Sequence, residues 1–445
     1  MKIGIISYGS AVNCYDIAQH YLEETVKQLK KMGHEIKAVS KVVLSDEENK
    51  EAFCLFRKEV PELIVIQMGT FAQGNMLLDA IMEWEKIPIF VCGFYDPIVK
   101  EHPTIPLNSL TGLTMLTSFL HKIGKKFSYA YGKFEDETIM KKIQLTINAI
   151  ELKNKLKHSR YLVVGSHVPG FYNCTVDELR FRKEIGPEII YYSVASLLRE
   201  AEKIDTKQVI ETCREIEQRV QVTVGRTMVE KTVRLELALK NYVKENEINA
   251  VTMKCWPELQ DLYQCSGCGV LSRLNDSGTV AGCEGDITGL ASMDILQKLS
   301  KKPVFFADLV TAAQTGIVKA WHCGFGPEKL AKNLAAIEYT QQATLRNGIG
   351  VGIQYEMKQG RLSMCKLSEQ KEGYQMLFAG GVGVPTDRQL LGVQTDIKLD
   401  AGFSKVMDMI IENGFEQHYA IVHEDLKEQL KEFSKWKNIR LFCAD

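Results

Sequence analysis

The sequence predicts an α/β protein: two Rossmann-like, parallel-sheet α/β domains followed by a smaller, β-rich and barrel-like C-terminal domain. Three observations predict it. Short β-branched runs alternate with helical stretches through the N-terminal third, and a second alternation of this kind starts after a Lys-rich segment near residue 158. Beyond residue 320 the texture changes to short alternating segments punctuated by glycines. A chain of 445 residues also exceeds what one hydrophobic core supports. The expected domains are 1–157, 158–320 and 321–445.

In the first domain the runs Ile3 to Ser7, Glu35 to Ser40, Leu63 to Met68 and Ile87 to Cys92 read as strands. Their exits, Ser7-Tyr8-Gly9-Ser10, Met68-Gly69-Thr70 and Cys92-Gly93, lie where parallel sheets present ligands, but none is a nucleotide-binding fingerprint. In the second domain the strand Tyr161 to Gly165 runs into Ser166-His167-Val168-Pro169-Gly170-Phe171. His167 and Phe171 are candidates for lining a sugar site; a loop histidine capping backbone groups is the alternative. Val229, Val233 and Leu237 repeat at four-residue spacing and mark a buried helix face. The apolar run Ala250 to Met253 reads as a buried strand whose exit carries Lys254-Cys255-Trp256-Pro257-Glu258. In the third domain Gly348 to Gln354, Arg361 to Leu367, Gln375 to Ala379 and Gly392 to Lys398 are expected strands, and a last βα unit spans Tyr419 to Lys435.

Composition excludes several classes of function. Charged residues are 25% and hydrophobic residues 45%, ordinary for a globular protein. Lys and Arg total 55 against 56 Asp and Glu, with no long run of one sign, so nucleic acid is not an expected partner. No apolar stretch reaches the roughly 18 to 20 residues that cross a bilayer, so no membrane partner is expected. The first residues enter a strand pattern without the zones of a signal peptide, and twelve cysteines are scattered through the chain. A reducing, cytoplasmic setting is the expectation.

Chemistry concentrates at two strand exits. Glu258 follows the buried strand Ala250 to Met253, and Glu284 and Asp286 sit in the Gly-rich segment Ser277 to Asp286. Carboxylates gathered in a cleft must be paired, protonated or metal-bound, and a divalent cation would reconcile them. Oxygen ligands with an imidazole and open positions suit Mn²⁺ or Mg²⁺. Read alone, Glu258 is equally a helix-start carboxylate and Asp286 an N-cap. Cysteine chemistry competes in this region, since Cys255, Cys265, Cys268 and Cys283 lie close in sequence and Cys265-Ser266-Gly267-Cys268 is a C-x-x-C. The outer cysteines are single, unlike the paired knuckles of a structural zinc site.

Four segments resemble the L-fucose isomerase and L-arabinose isomerase superfamily: Lys254 to Glu258, Cys283-Glu284-Gly285-Asp286 with Thr288 to Met293, Trp321-His322-Cys323-Gly324, and Gln417-His418-Tyr419-Ala420. Pro303 to Asp308 resembles the family's strand after the acidic turn. The resemblance implies an aldose–ketose isomerase working through a cis-enediol, with Mn²⁺, or Mg²⁺ or Co²⁺, held by two acidic residues and a histidine. Carried over, Glu258 and Asp286 match the acidic ligands and the catalytic acid and base, and His418 matches the histidine. Gln417 stands where the family often has the first of two histidines, which leaves His423 as a substitute ligand. His322, Glu284, Trp256, His167 and Phe171 are the implied substrate-binding residues; a packed core histidine is the alternative for His322. Family substrates are aldopentoses, 6-deoxyhexoses and 6-sulfo sugars such as sulfoquinovose, and Arg180, Arg182, Lys183 and Arg346 are available as sulfonate donors. A homo-oligomer with active sites at subunit interfaces is also implied. The alternatives are a sugar-binding or regulatory protein of the same fold and a cysteine-ligated metal redox protein.

Overall fold

The β-branched runs of the N-terminal third form strands β1 (Lys2–Tyr8), β2 (Glu35–Ala38), β3 (Leu63–Met68) and β4 (Ile89–Phe94), with β5 (Phe127–Gly132) after them. All pair in parallel, in the order β2-β1-β3-β4-β5. Every residue of β3 and β4 is buried, as a parallel sheet covered on both faces requires. Sequence signals set the intervening helices. Asp46–Lys58 starts where the Ser45 hydroxyl accepts from the Glu48 amide at 3.3 Å and the Glu48 carboxylate accepts from the Leu44 amide at 2.6 Å, a variant of the capping box.

The computed structural model describes residues 1–98, 105–312, 316–342, 344, 348–386 and 390–444. The chain divides into two units, Met1–Glu151 and Leu152–Asp445. The second unit contains two sheets. The first joins β6 (Arg160–Val164), β7 (Glu188–Tyr192), β9 (Ala250–Met253) and β10 (Val280–Cys283), all parallel, in the order β10-β9-β6-β7. The short β8 (Gln221–Val222) lies between β7 and β9 in sequence but pairs elsewhere, with β13 (Glu338–Gln341).

The second sheet is mixed and has ten strands. Besides β8 it contains β11 (Phe305–Ala312), β12 (Ile317–His322), β13 (Glu338–Gln341), β14 (Val351–Glu356) and β15 (Gly360–Gln370). The others are β16 (Gly373–Val384), β17 (Val393–Leu399), β18 (Tyr419–Val422) and β19 (Arg440–Ala444). Six of them close on themselves, β16-β15-β18-β11-β12-β17 and back to β16. The closed ring is the expected barrel. Its packed core takes every second residue of successive strands, Phe305 and Ala307, Val318 and Ala320, Leu362 and Met364, Leu377 and Ala379. Strand β11, within the interval 158–320, belongs to this mixed sheet.

Helix Ile287–Ser300 joins the two sheets of the second unit. It packs on β9 and β10 on the parallel side and on β11, β15 and β18 of the barrel. Its residues from Ile287 to Leu296 are all buried, so the first ten positions are enclosed on every side. Asp286 caps its first turn.

Candidate active site

Three exits of the parallel sheet supply one side of the site. Glu284 is the residue after β10, Trp256 follows the end of β9, and His167 follows the end of β6. The carboxyl edge of a parallel sheet is where such folds bind ligands. Glu284 and Gly285 adopt left-handed conformations, with φ of 62° and 73°, which turns the chain sharply between strand and helix. The Val168 amide donates to the Glu284 carbonyl at 3.3 Å, so the loop carrying His167 lies on this turn. The Trp256 indole faces the Glu284 carboxylate and helps to lower its pKa.

Barrel register supplies the other side. Strands β11 and β18 are antiparallel, with Phe305 opposite Ile421, Phe306 opposite Ala420 and Ala307 opposite Tyr419. Carried one residue further, the same register sets Asp308 opposite His418. The Phe306 ring, on the same strand face as Asp308, lies 4.7 Å from the His418 ring between centroids. His418 has φ of 73°, a conformation uncommon outside glycine and concentrated at functional positions.

His418 is buried and both ring nitrogens are engaged. Nδ1 lies 3.0 Å from Asp286 Oδ2, while Nε2 lies 2.9 Å from Glu284 Oε2 and 3.7 Å from Asp308 Oδ1. Asp286 is itself fully committed. Its Oδ1 accepts from the Gly289 amide at 2.7 Å and the Thr288 hydroxyl at 3.0 Å, and its Oδ2 accepts from the Lys366 ammonium at 3.2 Å as well as facing His418. Burial opposes its charge, but Lys366, His418 and the Gly289 amide hold it well below the usual carboxylate range. Burial likewise opposes charge on His418, yet its bonds to Asp286, Cys174 and Glu284 raise its pKa well above the ordinary value. Burial would raise Glu284, but His418, His322 and Trp256 outweigh it and lower the pKa. For Asp308 burial prevails, with nearby Glu284 adding to it, and the pKa is raised.

Comparison with known proteins bears directly on this arrangement. A family model described as the L-arabinose isomerase central domain matches residues 175–302, the segment that ends with the Glu284 turn and its helix. Three proteins named sulfoquinovose isomerase are similar along nearly the whole chain. The one from Alkalicoccus urumqiensis is 24% identical over 401 residues, 89% of each chain. The one from Priestia aryabhattai is 24% identical and covers 95% of each chain, and that from Clostridium sp. (strain MSTE9) is 24% identical over 93% of this chain and 92% of its own. The chain is thus similar to the L-arabinose isomerase family in its central segment and to sulfoquinovose isomerases along nearly its whole length. It is an isomerase.

The isomerase holds the remaining sequence candidates in distinct places. Glu258 opens the helix Glu258–Tyr263; its Oε1 lies 2.5 Å from Lys254 Nζ, and its buried Oε2 has no hydrogen-bond partner among the described residues. His423 Nε2 lies 2.8 Å from the Lys358 carbonyl oxygen, so it is His418 that converges on the acidic turn. His322 is buried between Phe306 and Phe325, with ring centroids 6.0 and 5.1 Å away, and Nδ1 lies 3.7 Å from Cys323 Sγ. Burial disfavours its charge, but Cys323, Asp308 and Glu284 together raise its pKa. Phe171 precedes the turn Tyr172–Cys174, and His167 faces Tyr172 with centroids 6.1 Å apart. The guanidinium of Arg180 is taken up by the Gln370 and Lys371 carbonyls and Glu184, and that of Arg182 by the Lys157 and Gly186 carbonyls. Lys183 is exposed, and Arg346 lies outside the described residues. All twelve cysteines are free. Cys265 bonds to Thr232 and the Ser266 carbonyl, whereas Cys268 faces Cys323 and Gln342.

Sequence reasoning missed three members of the site. Asp308 lies in a segment whose family resemblance was visible, Pro303 to Asp308, but its facing His418 depends on pairing with a strand more than 100 residues away. Lys366 sits in an apolar run, Leu362 to Leu367, where a lone lysine reads as solvent-facing. Cys174 presents its sulfur with Asp286 and His418 so that their ligand atoms all lie within 4.8 Å.

Gly285 tests how tightly the turn is built. A Cβ there would stand 2.3 Å from the Ser166 carbonyl oxygen and 2.8 Å from His167 Cα, both backbone, at a φ that L side chains rarely adopt. Gly285→Ala is expected to destabilise the second unit by about 2–4 kcal/mol. A urea midpoint that falls at unchanged slope measures it; an unchanged midpoint would show that the turn yields.

Proposed function

We propose that the isomerase interconverts an aldose and a ketose using a divalent cation held by Glu284, Asp308 and His418, and that its substrate is a 6-sulfo sugar of the sulfoquinovose type. The observation that carries this reading is the convergence of Glu284 Oε2 and Asp308 Oδ1 on His418 Nε2 while Asp286 engages the opposite nitrogen. Two carboxylates and an imidazole, with the far ring nitrogen donating to a further carboxylate, are a donor set suited to Mn²⁺, Mg²⁺ or Co²⁺. The set Cys174, Asp286 and His418 fits less well. Lys366 already lies against Asp286 Oδ2, and a second cation there would meet its ammonium. Glu258 stays outside the ligand set because Lys254 neutralises it.

Isomerisation requires a proton to leave the carbon beside a carbonyl and return to its neighbour. When bound, the cation would stabilise negative charge developing on the two sugar oxygens. Glu284 and Asp308 are the carboxylates with a side still open, and we assign them the proton transfer. Asp286 is unsuited to it, because every contact direction of its two oxygens is occupied. Trp256 steadies Glu284, and His322, clamped between two phenylalanines, adds a donor beside both acids. The similarity to three sulfoquinovose isomerases supports a C6 sulfonate over an aldopentose or a 6-deoxyhexose. The same reading places the enzyme in the cytoplasm as a homo-oligomer with its active site completed at a subunit interface.

A panel of 6-sulfo and 6-deoxy aldoses and aldopentoses, assayed for ketose with Mn²⁺, tests the substrate; the 6-sulfo sugar is expected to turn over fastest. Dialysis against EDTA is expected to abolish activity and Mn²⁺ to restore it. In D₂O, deuterium is expected at the carbon next to the carbonyl. Full retention of the original hydrogen would overturn the proton-transfer roles in favour of a hydride shift.

A further inference from the structure

Lys366 projects from β15 into the second unit with a side chain 0% exposed to solvent. Its ammonium lies 3.2 Å from Asp286 Oδ2, 3.0 Å from the Thr288 hydroxyl and 3.8 Å from Glu416 Oε2. The first two are hydrogen bonds, and the third is an ion-pair contact beyond hydrogen-bond reach. A buried ammonium is costly, and replacing a buried ion pair by apolar groups is often neutral or stabilising, so stability alone does not call for lysine at this position. Its geometry has a direction instead. Asp286 is pinned at one oxygen by the first turn of helix Ile287–Ser300 and at the other by Lys366, and its remaining acceptor capacity faces His418 Nδ1 at 3.0 Å. A bond at Nδ1 to a carboxylate that is itself held in place fixes the plane of the imidazole and aims Nε2 at Glu284 and Asp308.

We propose that Lys366 is a positioning residue that, by fixing Asp286, locks the orientation of His418 and so sets the affinity of the site for its cation. The cation half of this rests on the ligand set Glu284, Asp308 and His418 proposed above; the orientation half does not. Lys366 touches neither sugar nor cation in this arrangement. It acts through Asp286 on the imidazole, much as an outer carboxylate steers a metal-bound histidine, with the lysine one step further out.

The test uses the full-length protein with Lys366→Met, which removes the charge at similar length, and Lys366→Arg, which keeps it. Two readouts are independent of turnover. In metal-free protein labelled with ¹⁵N-histidine, the wild type is expected to show a sharp, exchange-protected His418 Nδ1–H held on Asp286, and Lys366→Met to lose that protection. In a competition titration with a fluorescent chelator, Lys366→Met is expected to bind Mn²⁺ roughly 10–100-fold more weakly. Lys366→Arg is expected to recover most of both. If Lys366→Met does not fold, Asp286→Asn, which keeps the volume and a capping acceptor, must show the same two losses. A folded Lys366→Met that keeps the His418 signal and wild-type Mn²⁺ affinity would overturn the proposal. If the wild type binds no Mn²⁺ while the His418 signal still changes in Lys366→Met, the ligand set fails and the positioning role stands.

Discussion

Glu284→Gln and Asp308→Asn are each expected to lower kcat by roughly 10²–10⁴-fold at saturating Mn²⁺ with the fold intact, the usual loss when a positioned acid or base is removed. Both changes conserve volume, so the loss would report chemistry and not packing. Glu284 faces the Trp256 indole and contacts His418 Nε2, and Asp308 reaches the same nitrogen from the barrel side. Mn²⁺ content measured alongside kcat separates lost binding from lost proton transfer. Glu258→Gln makes the control, since Lys254 holds that carboxylate, and its kcat is expected to stay within about tenfold of wild type. The opposite pattern, with Glu258→Gln inactive and Glu284→Gln active, would move the acid–base role back to the strand exit after β9.

Asp286→Ala is expected to produce the largest stability loss of any single substitution in the site. It removes a helix N-cap worth about 1 kcal/mol and strands a fully buried lysine, and breaking a buried pair in that way costs roughly 3–5 kcal/mol. The two effects share one carboxylate and should not be summed. Urea unfolding of the second unit measures the loss. The pH dependence has a definite sign. Pairing holds Asp286 below its unfolded pKa, so its stabilisation is complete above the ordinary carboxylate range near pH 4 and fades only as pH falls through the depressed folded value. The gap between wild type and Asp286→Ala should therefore be level from pH 5 upward and close only in strong acid. A gap that closed by pH 6 would show that Asp286 is not ionised in the folded protein.

Much of the scaffold was legible because its signals are local. The run Ile3 to Ser7 has too many β-branched residues for a surface helix, and it became a strand buried over nearly its whole length. Strand β5 escaped notice because Phe127-Ser128-Tyr129-Ala130-Tyr131-Gly132 sits at the sheet edge and is only alternately buried. The Cys283 to Asp286 turn was legible as a strand exit, and the N-cap alternative for Asp286 proved to be its geometry. Which of its two acids meets which nitrogen of His418 was not legible, since that follows from the left-handed φ of Glu284 and from the helix that Asp286 must cap.

Sequence alone determined the alternation of elements, the change of texture toward the barrel, the acidic turn and the importance of the His418 segment, because each depends on residues within a few positions of one another. Tertiary structure alone decided that Asp308 faces His418, that His423 turns away, and that Lys366 is a buried partner of Asp286. Those contacts are set by strand register in a closed barrel and by a buried helix between two sheets, where residues 80 to 130 positions apart meet. No local pattern encodes such a meeting. The physical reason is that a strand's faces alternate with each residue, so the pairing partner, and not the segment itself, decides which side chains enter the site.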